Sequence, residues 1–296
     1  MPNRVLICFN PASGKGHSRT ILNKFLSYAK VNTIDCSVVE SSKDVAQLAK
    51  LVQNFNIDDF KAVIAIGGDG IVHQLLQILS NSKLGLFVIP AGTGNDFART
   101  NKVLITDPAE VFYQIFNNDP KLIDLGEISY GNEKRIFGQI LSTGFDALVN
   151  ERANRNRFIS GQMKYNVATI VELPRFQALS YRIEVDGTSR ELKAMLIAVA
   201  NGTSYGGGMQ LAPHANRQDG LLDIMILHPV SKLELIKVFP KVYSGKHVTH
   251  PAVEFLKARS ISISANSVSY ADGERISQLP ITIAALPKSL LTWTAE

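Results

Sequence analysis

The sequence predicts an α/β protein, with a doubly wound, mainly parallel sheet in its N-terminal part and a β-rich second domain after it. Two observations carry this. Up to about residue 125, apolar runs of strand length alternate with segments of helical period. Beyond that point, short strand-like runs and turn signals dominate. The bulk numbers agree: 296 residues, 45% hydrophobic and 19% charged, suit one large or two ordinary domains with a real core and exclude a disordered chain.

Residues 4–9 (RVLICF) form a run that suits a buried strand. Ile21, Leu22, Phe25, Leu26 and Ala29 then share one helical face, with Ser18 as the expected N-cap. Residues 35–39 read as strand, and Val45, Leu48, Ala49, Leu51, Val52 and Phe55 as helix. Residues 61–66 (KAVIAI) are strand, Ile71, Leu75, Leu76 and Leu79 helix, and 84–89 a fourth strand. This βαβα order implies parallel pairing. In the second part, 136–141, 181–185, 193–199, 222–227, 261–264 and 268–270 read as strands, with Asp186-Gly187 as a hairpin signal. Helical patterns interrupt them near 150–173 and 231–243, and 281–286 and 290–293 are the last strands.

A net charge of +5 suits an anionic partner: a nucleotide, a nucleic acid or a membrane surface. Cys8 and Cys36 lie in apolar stretches without a CxxC pair, so both are expected to be buried free thiols in a reducing compartment. The N-terminal apolar run is too short for a signal peptide. No stretch approaches the ~18 apolar residues of a membrane span. A cytoplasmic protein is expected.

Three glycine-bearing loops follow predicted strands: 10–16 (NPASGKG), 67–70 (GGDG) and 92–96 (GTGND). In a parallel sheet such loops share one edge, where ligands bind. Glycine lets backbone N–H groups approach an anion, and the helix N-terminus behind adds a favourable dipole. SGKG is not a P-loop, because Phe9 stands where its first glycine belongs and Gly16 replaces the Ser/Thr. Each loop alone reads as a tight turn; three on consecutive strand ends point to a phosphate cradle. Asp69 and Asp96 each read alone as an N-cap. Beside a phosphate cradle, however, carboxylates call for a divalent cation between.

The β-rich part has its own clusters: Asn201-Gly202, 206–209 (GGGM), 216–223 (NRQDGLLD) and 270–275 (YADGER). Asp272-Gly273 reads as a hairpin turn. Alternatively, Asp272 and Glu274 aim two carboxylates into a cleft, one of them a general base toward a hydroxyl.

NPASGKG, GGDG, IPAGTGNDFAR, LIDLG, STGFDALV, NGTSYGGGMQLAP, DGLLDI and ADGE together resemble, in order, the bacterial lipid kinases of the diacylglycerol kinase catalytic-domain family. The resemblance spans nearly the whole chain. It implies an ATP-binding domain of NAD kinase/phosphofructokinase type over 1–125 and a sandwich-like lipid-substrate domain over 126–286, with the tail from about 287 to 296 returning to the first. It also implies that Asn10, Pro11, Ala12, Ser13, Gly14, Ser41, Gly67, Gly68, Asp69, Gly70, Ile71, Val72, His73 and Thr93 hold ATP. Asp69, Asp96 and Asp124 would join a carboxylate and water network around a catalytic Mg²⁺. Asp219, with backbone oxygens of Asn216 and Leu221, would hold a structural Mg²⁺. Asp272 and Glu274 would be the essential acids, with Glu274 the first choice as proton acceptor; the sequence leaves the two open.

The implied reaction is Mg²⁺-dependent transfer of phosphate from ATP to the hydroxyl of diacylglycerol, giving phosphatidic acid. A sphingoid base, phosphatidylglycerol or a polyprenol as substrate, or a weakly active nucleotide- or lipid-binding homologue, remain alternatives. The chain departs from the family at Ile71, where Thr is usual, at His73 and Gln74, where Asn and Glu are usual, and at Ser142, often Asn. The implied partners are ATP and a lipid at the inner face of the membrane, with no nucleic acid and a possible homodimer. Arg152, Arg155, Arg157 and Lys164, with Phe158, Ile159 and Met163, read either as a lipid-docking stretch or as a solvated helix face. His247 and His250 read as structural, and Trp293 as core.

Overall fold

The computed structural model describes residues 3–41, 45–155, 167–169, 171–172 and 176–295. The chain divides into two units: Met1–Ile123 with Lys288–Glu296, and Asp124–Pro287.

The first unit runs β1 (Arg4–Phe9), α1 (His17–Val31), β2 (Asp35–Glu40), α2 (Val45–Gln53), β3 (Ala62–Gly67), α3 (Asp69–Leu79), β4 (Gly85–Pro90), α4 (Asp96–Thr100) and α5 (Pro108–Asn117). Its strands pair in parallel in the order β2-β1-β3-β4. The inner strands β1, β3 and β4 are apolar because both faces are covered. Val5, Ile7 and Phe9 pack with Ile21, Leu22 and Phe25 of α1 and with Val111, Phe112 and Ile115 of α5. The residues of opposite parity, Leu6, Cys8, Val63 and Ala65, are equally buried. Each large apolar side chain so enclosed contributes about 1.5–3 kcal/mol. The chain leaves β1 toward β2 on one side and returns to β3 on the other. The strand order thus switches at β1/β3, where open α/β sheets form a crevice at the strands' carboxyl ends.

The C-terminal segment closes this unit. Thr292 pairs with Leu86 of β4, and its Oγ1 donates to the Leu86 carbonyl at 2.7 Å. The Trp293 ring lies 5.7 Å from that of Phe87, and its Nε1 donates to the Asn118 carbonyl at 2.9 Å. Trp293 is core, as expected.

The second unit continues with β5 (Lys121–Tyr130), β6 (Glu133–Phe137), β7 (Ile140–Gly144), α6 (Phe145–Arg155), β8 (Leu179–Val185), β9 (Thr188–Ala194), β10 (Leu196–Ala200) and β11 (Leu222–Leu227). Then come α7 (Lys232–Val238), 3-10 turns over Phe239–Ser244 and Lys246–Thr249, β12 (Val253–Ala258), β13 (Ser260–Ser264), β14 (Val268–Ala271), β15 (Glu274–Gln278) and β16 (Ile281–Thr292). One antiparallel sheet has the order β12-β11-β10-β7-β14-β15. In the other, β13 pairs with β16 and β8, β8 with β9, and β5 with β6 and β16. Inward residues of both, such as Ile197, Val199, Ile224 and Ile226 against Tyr181, Ile183, Ile261 and Ile283, share one core and make a sandwich. The outer face of the first sheet, through Ala198, Ala200 and Met225, is covered by α6 and α7.

Local details differ from the expectations. Ser18 lies inside α1, whose N-cap is Gly16 at φ 92°; the Ser18 hydroxyl instead donates to the Asn10 carbonyl at 2.6 Å. The run 193–199 breaks at Met195 into β9 and β10, because the Met195 N–H donates to Leu227. The run 136–141 divides between β6 and β7. The last two expected strands are one, β16. Cys8 is buried, and burial pushes its thiol up to about 12. Cys36 is only half-buried, on edge strand β2. Among the described residues no helix is long and apolar enough to cross a membrane.

Candidate active site

The three glycine loops come together. Asn10 donates its N–H to Ile66 at the end of β3, and Ala91 donates to Gly67, so neighbouring strand ends are stitched. A Cβ on Gly14, which holds φ +58°, would stand 2.6 Å from the Ala91 carbonyl oxygen. A Cβ on Gly68 would stand 3.1 Å from the Gly92 Cα, and one on Gly92 would overlap the Gly68 Cα outright. Backbone touches backbone here, which only glycine permits. Ser13 Oγ lies against Gly67, 3.3 Å from where a Cβ would stand. Asn95, at φ 57°, braces the third loop: its Oδ1 accepts from Gly92 N and its Nδ2 donates to Gly92 O, both at 2.9 Å.

Two carboxylates sit in this cluster. A Cβ on Gly94 would stand 2.4 Å from Asp69 Oδ2 and 3.3 Å from Asp96 Oδ2, so the two carboxylates share the space that this glycine leaves open. Neither caps its own helix: Asp69 Oδ1 accepts from Phe97 N at 3.3 Å, and the cap positions are Gly68 and Asn95, neither of which makes a side-chain bond to its own helix. Asp96 is buried. Thr93, Ala12 and Gly14 are exposed, and Asn10, Pro11, Ser13, Gly68 and Asp69 partly so. Gly67 and Ser41 are buried; Ser41 donates its N–H to Phe9 at 2.8 Å. Gly70 is exposed at the start of α3. The side chains of Ile71, Val72 and His73 are buried. Ile71 Cγ2 lies 2.6 Å from a would-be Cβ of Gly67, an apolar floor beneath the loop.

An alanine at position 92 must move one of the two loops. Gly92→Ala is expected to weaken binding of a phosphate ligand at these loops by about tenfold or more, equivalent to ~1–3 kcal/mol of overpacking. Unchanged binding would remove the cradle.

In the second unit the hairpin β14–β15 turns at Asp272 and Gly273, with φ 50° and 85°. Asp272 does more than turn the chain. Its Oδ2 accepts from Gly138 N at 2.8 Å, and its Oδ1 from Gln139 N at 2.9 Å and Ile140 N at 3.3 Å. One carboxylate thus holds the entry to β7. Glu274 is exposed, at the first position of β15. Next to it Arg275 Nε pairs with Glu151 at 2.9 Å.

Asp124 anchors the 216–223 loop. It is 1% exposed; its Oδ2 accepts from Gly220 N at 2.7 Å, its N–H donates to Arg217 O at 2.7 Å, and Asn201 Nδ2 donates to its carbonyl at 2.9 Å. Burial pulls the Arg217 guanidinium down to about 10, against the favourable charge of Asp124. Asp124 belongs to a different unit from Asp69 and Asp96.

Of the structural-ion set implied at Asn216, Asp219 and Leu221, which uses backbone oxygens of the first and last, the one carboxylate is already partnered. Asn216 Oδ1 accepts from Gln218 N at 3.1 Å, and Asp219 Oδ1 from Leu221 N at 3.0 Å. Asp219 Oδ2 meets the Lys257 ammonium at 2.7 Å, which also lies 3.6 Å from Asp223. A lysine stands where the cation's charge belongs. Among the described residues no cluster of three His, Cys, Asp or Glu side chains has metal-holding geometry. With Lys257 paired to Asp219, EDTA is expected to leave the thermal unfolding midpoint unchanged; a fall of several degrees would restore an ion to this loop.

Sequence reasoning missed Lys257, thirty-odd positions from its partner. It also gave Asp146 no role. That carboxylate, at the start of α6, accepts from the Ser142 hydroxyl, from Tyr205 OH at 2.8 Å and from Asn150 Nδ2 at 3.1 Å. Burial holds its pKa above the usual carboxylate value. The group ties β7, α6 and the turn before Gly206 together, and Ser142 is the departure from Asn noted above. His247 Nε2 contacts the Leu211 carbonyl and His250 Nε2 contacts Glu234, each at 3.0 Å, so both are built into the fold. In the basic stretch, Arg152 pairs with Glu172. The Arg155 side chain, Arg157, Phe158, Ile159, Met163 and Lys164 lie outside the described residues.

Known proteins extend this geometry. The diacylglycerol kinase catalytic domain model matches residues 4–128, and the model of the YegS C-terminal NAD kinase beta sandwich-like domain matches 139–293. A diacylglycerol kinase of Mycobacterium tuberculosis is 34% identical over 290 residues, 97% of this chain and 94% of that protein. One from Bacillus subtilis is 27% identical, covering 94% and 91%. The crystal structure of a candidate diacylglycerol kinase from Bacillus anthracis matches with a TM-score of 0.78 at 25% identity, over 99% of this chain and 98% of that one. The catalytic-domain match and the curated relatives make the chain a lipid kinase. The chain belongs to the diacylglycerol kinase family.

Proposed function

We propose that the chain transfers the γ-phosphoryl group of ATP to the free hydroxyl of diacylglycerol, giving phosphatidic acid in a Mg²⁺-dependent reaction. The observation that carries this is the convergence of three glycine loops beside two carboxylates. The loops at 10–14, 67–70 and 92–94 hold the triphosphate through backbone N–H groups, with Ser41 and Thr93 as further nucleotide contacts. This reading tolerates Ile71, because a cradle made of amides does not use that hydroxyl. Asp69 and Asp96 are hard oxygen donors that fit Mg²⁺. When bound, the ion neutralises charge on the phosphates.

Glu274 takes the proton of the lipid hydroxyl, since it is exposed and stands at the end of an ordered strand. Asp272 is a positioning residue: its carboxylate is committed to three amides and keeps the turn before Glu274 in place. Asp124 likewise positions the 216–223 loop.

The test is incubation of the full chain with γ-labelled ATP, Mg²⁺ and mixed micelles of diacylglycerol, a sphingoid base, phosphatidylglycerol or a polyprenol. Labelled phosphatidic acid is the expected product. Label in another lipid alcohol keeps the mechanism and corrects the substrate. No label in any lipid, with ATP bound, contradicts the proposal.

A further inference from the structure

We infer that the outer face of α7 and the 3-10 turn after it is a docking surface for an anionic lipid bilayer; this rests on the lipid-kinase reading above and adds to it the place of contact. The segment is helical from Lys232 to Ser244. Its inner face is fixed, with Leu235, Val238 and Val242 buried. Its outer face repeats the helical period with apolar residues. Leu233 is 73% exposed and Ile236 53%; Pro240 and Tyr243 (44%) follow at matching spacing. A surface helix normally places polar residues there. Single exposed apolar residues need no explanation, but a stripe in register does.

Charge selects the occupant. Lys232, Lys237, Lys241 and Lys246 flank the stripe, all exposed. The one carboxylate between them, Glu234, contacts His250. Apolar side chains flanked by lysines match a bilayer, where the former enter the acyl boundary and the latter meet headgroup phosphates. A second copy of the chain meeting this face would bring eight lysines together, which disfavours it. The surface includes no residue of the 152–164 stretch and uses none of the residues assigned to ATP or to proton transfer.

The experiment is flotation of the full chain with vesicles of phosphatidylcholine, with and without phosphatidylglycerol. The double variant Leu233→Ser/Ile236→Ser is expected to lower vesicle partitioning about tenfold or more. The variant with all four lysines changed to Ala is expected to lose the preference for phosphatidylglycerol and the salt sensitivity that goes with it. Both should keep wild-type rates on a short-chain, monomeric diacylglycerol and wild-type unfolding midpoints. Vesicle binding equal to wild type in both variants overturns the inference. So does a change of oligomeric state in the double variant with vesicle binding intact, which would make the stripe a contact between copies. Flotation that is lost in the variants, in a chain that phosphorylates no lipid, supports the docking surface and refutes the substrate reading instead.

Discussion

Replacing Glu274 by glutamine is expected to slow phosphoryl transfer by about 10²–10⁴-fold, the range that a positioned general base contributes. Stability should not move. Glu274 is exposed at the start of β15, and glutamine keeps its length and its strand backbone. The loss should appear in kcat, with the KM for ATP unchanged, because no part of the loop cluster of the first unit is touched. Steady-state kinetics beside a urea melt reads both. A Glu274→Gln protein with more than a tenth of wild-type kcat would remove this side chain from proton transfer.

Asp272→Asn should behave in the opposite way. The amide keeps one acceptor oxygen and puts an NH₂ group where the other oxygen received a backbone N–H. At least one of the Gly138, Gln139 and Ile140 amides then loses its partner. Hydrogen bonds to a charged acceptor and the cost of an unsatisfied donor together give about 2–4 kcal/mol of destabilisation. Asparagine tolerates the left-handed backbone at this position, so the change isolates the carboxylate. Activity should fall too, through displacement of the turn, and should recover in part under stabilising osmolytes. Glu274→Gln should not recover under the same conditions. An Asp272→Asn protein of wild-type stability and no activity would make Asp272 a chemical participant rather than a positioning one.

How much of this was legible beforehand depends on the range of the interaction. β1, β3 and β4 are unbroken apolar runs because both their faces are buried, and a local pattern records that directly. The convergence of the glycine loops was also legible, since parallel strands send their following loops to one edge. β5 was not recognised, because Asp124 and Gly126 interrupt its apolar pattern; Asp124 serves a contact distant in sequence, with Gly220, and Gly126 makes room for the Phe137 ring across the β5–β6 hairpin. The break at Met195 has no turn residue to announce it and is set by a bond to Leu227.

The acids divide in the same way. Asp272-Gly273 reads as a turn and is one, but the amides it clamps lie more than a hundred residues away. Lys257, which stands where a metal was expected at Asp219, belongs to a strand that carries no motif. Resemblance carries residue types forward and does not report which partner already holds them.

The central claim is that the amides of three loops hold the phosphates of ATP. Hydrogen exchange, which reads those N–H groups themselves, tests it most directly. Exchange measured with and without Mg²⁺-ATP should show protection in peptides covering 10–16, 67–73 and 91–96, and it should be weakened in the Gly92→Ala protein. Nucleotide-dependent protection that leaves these three segments unchanged and appears elsewhere would contradict the account.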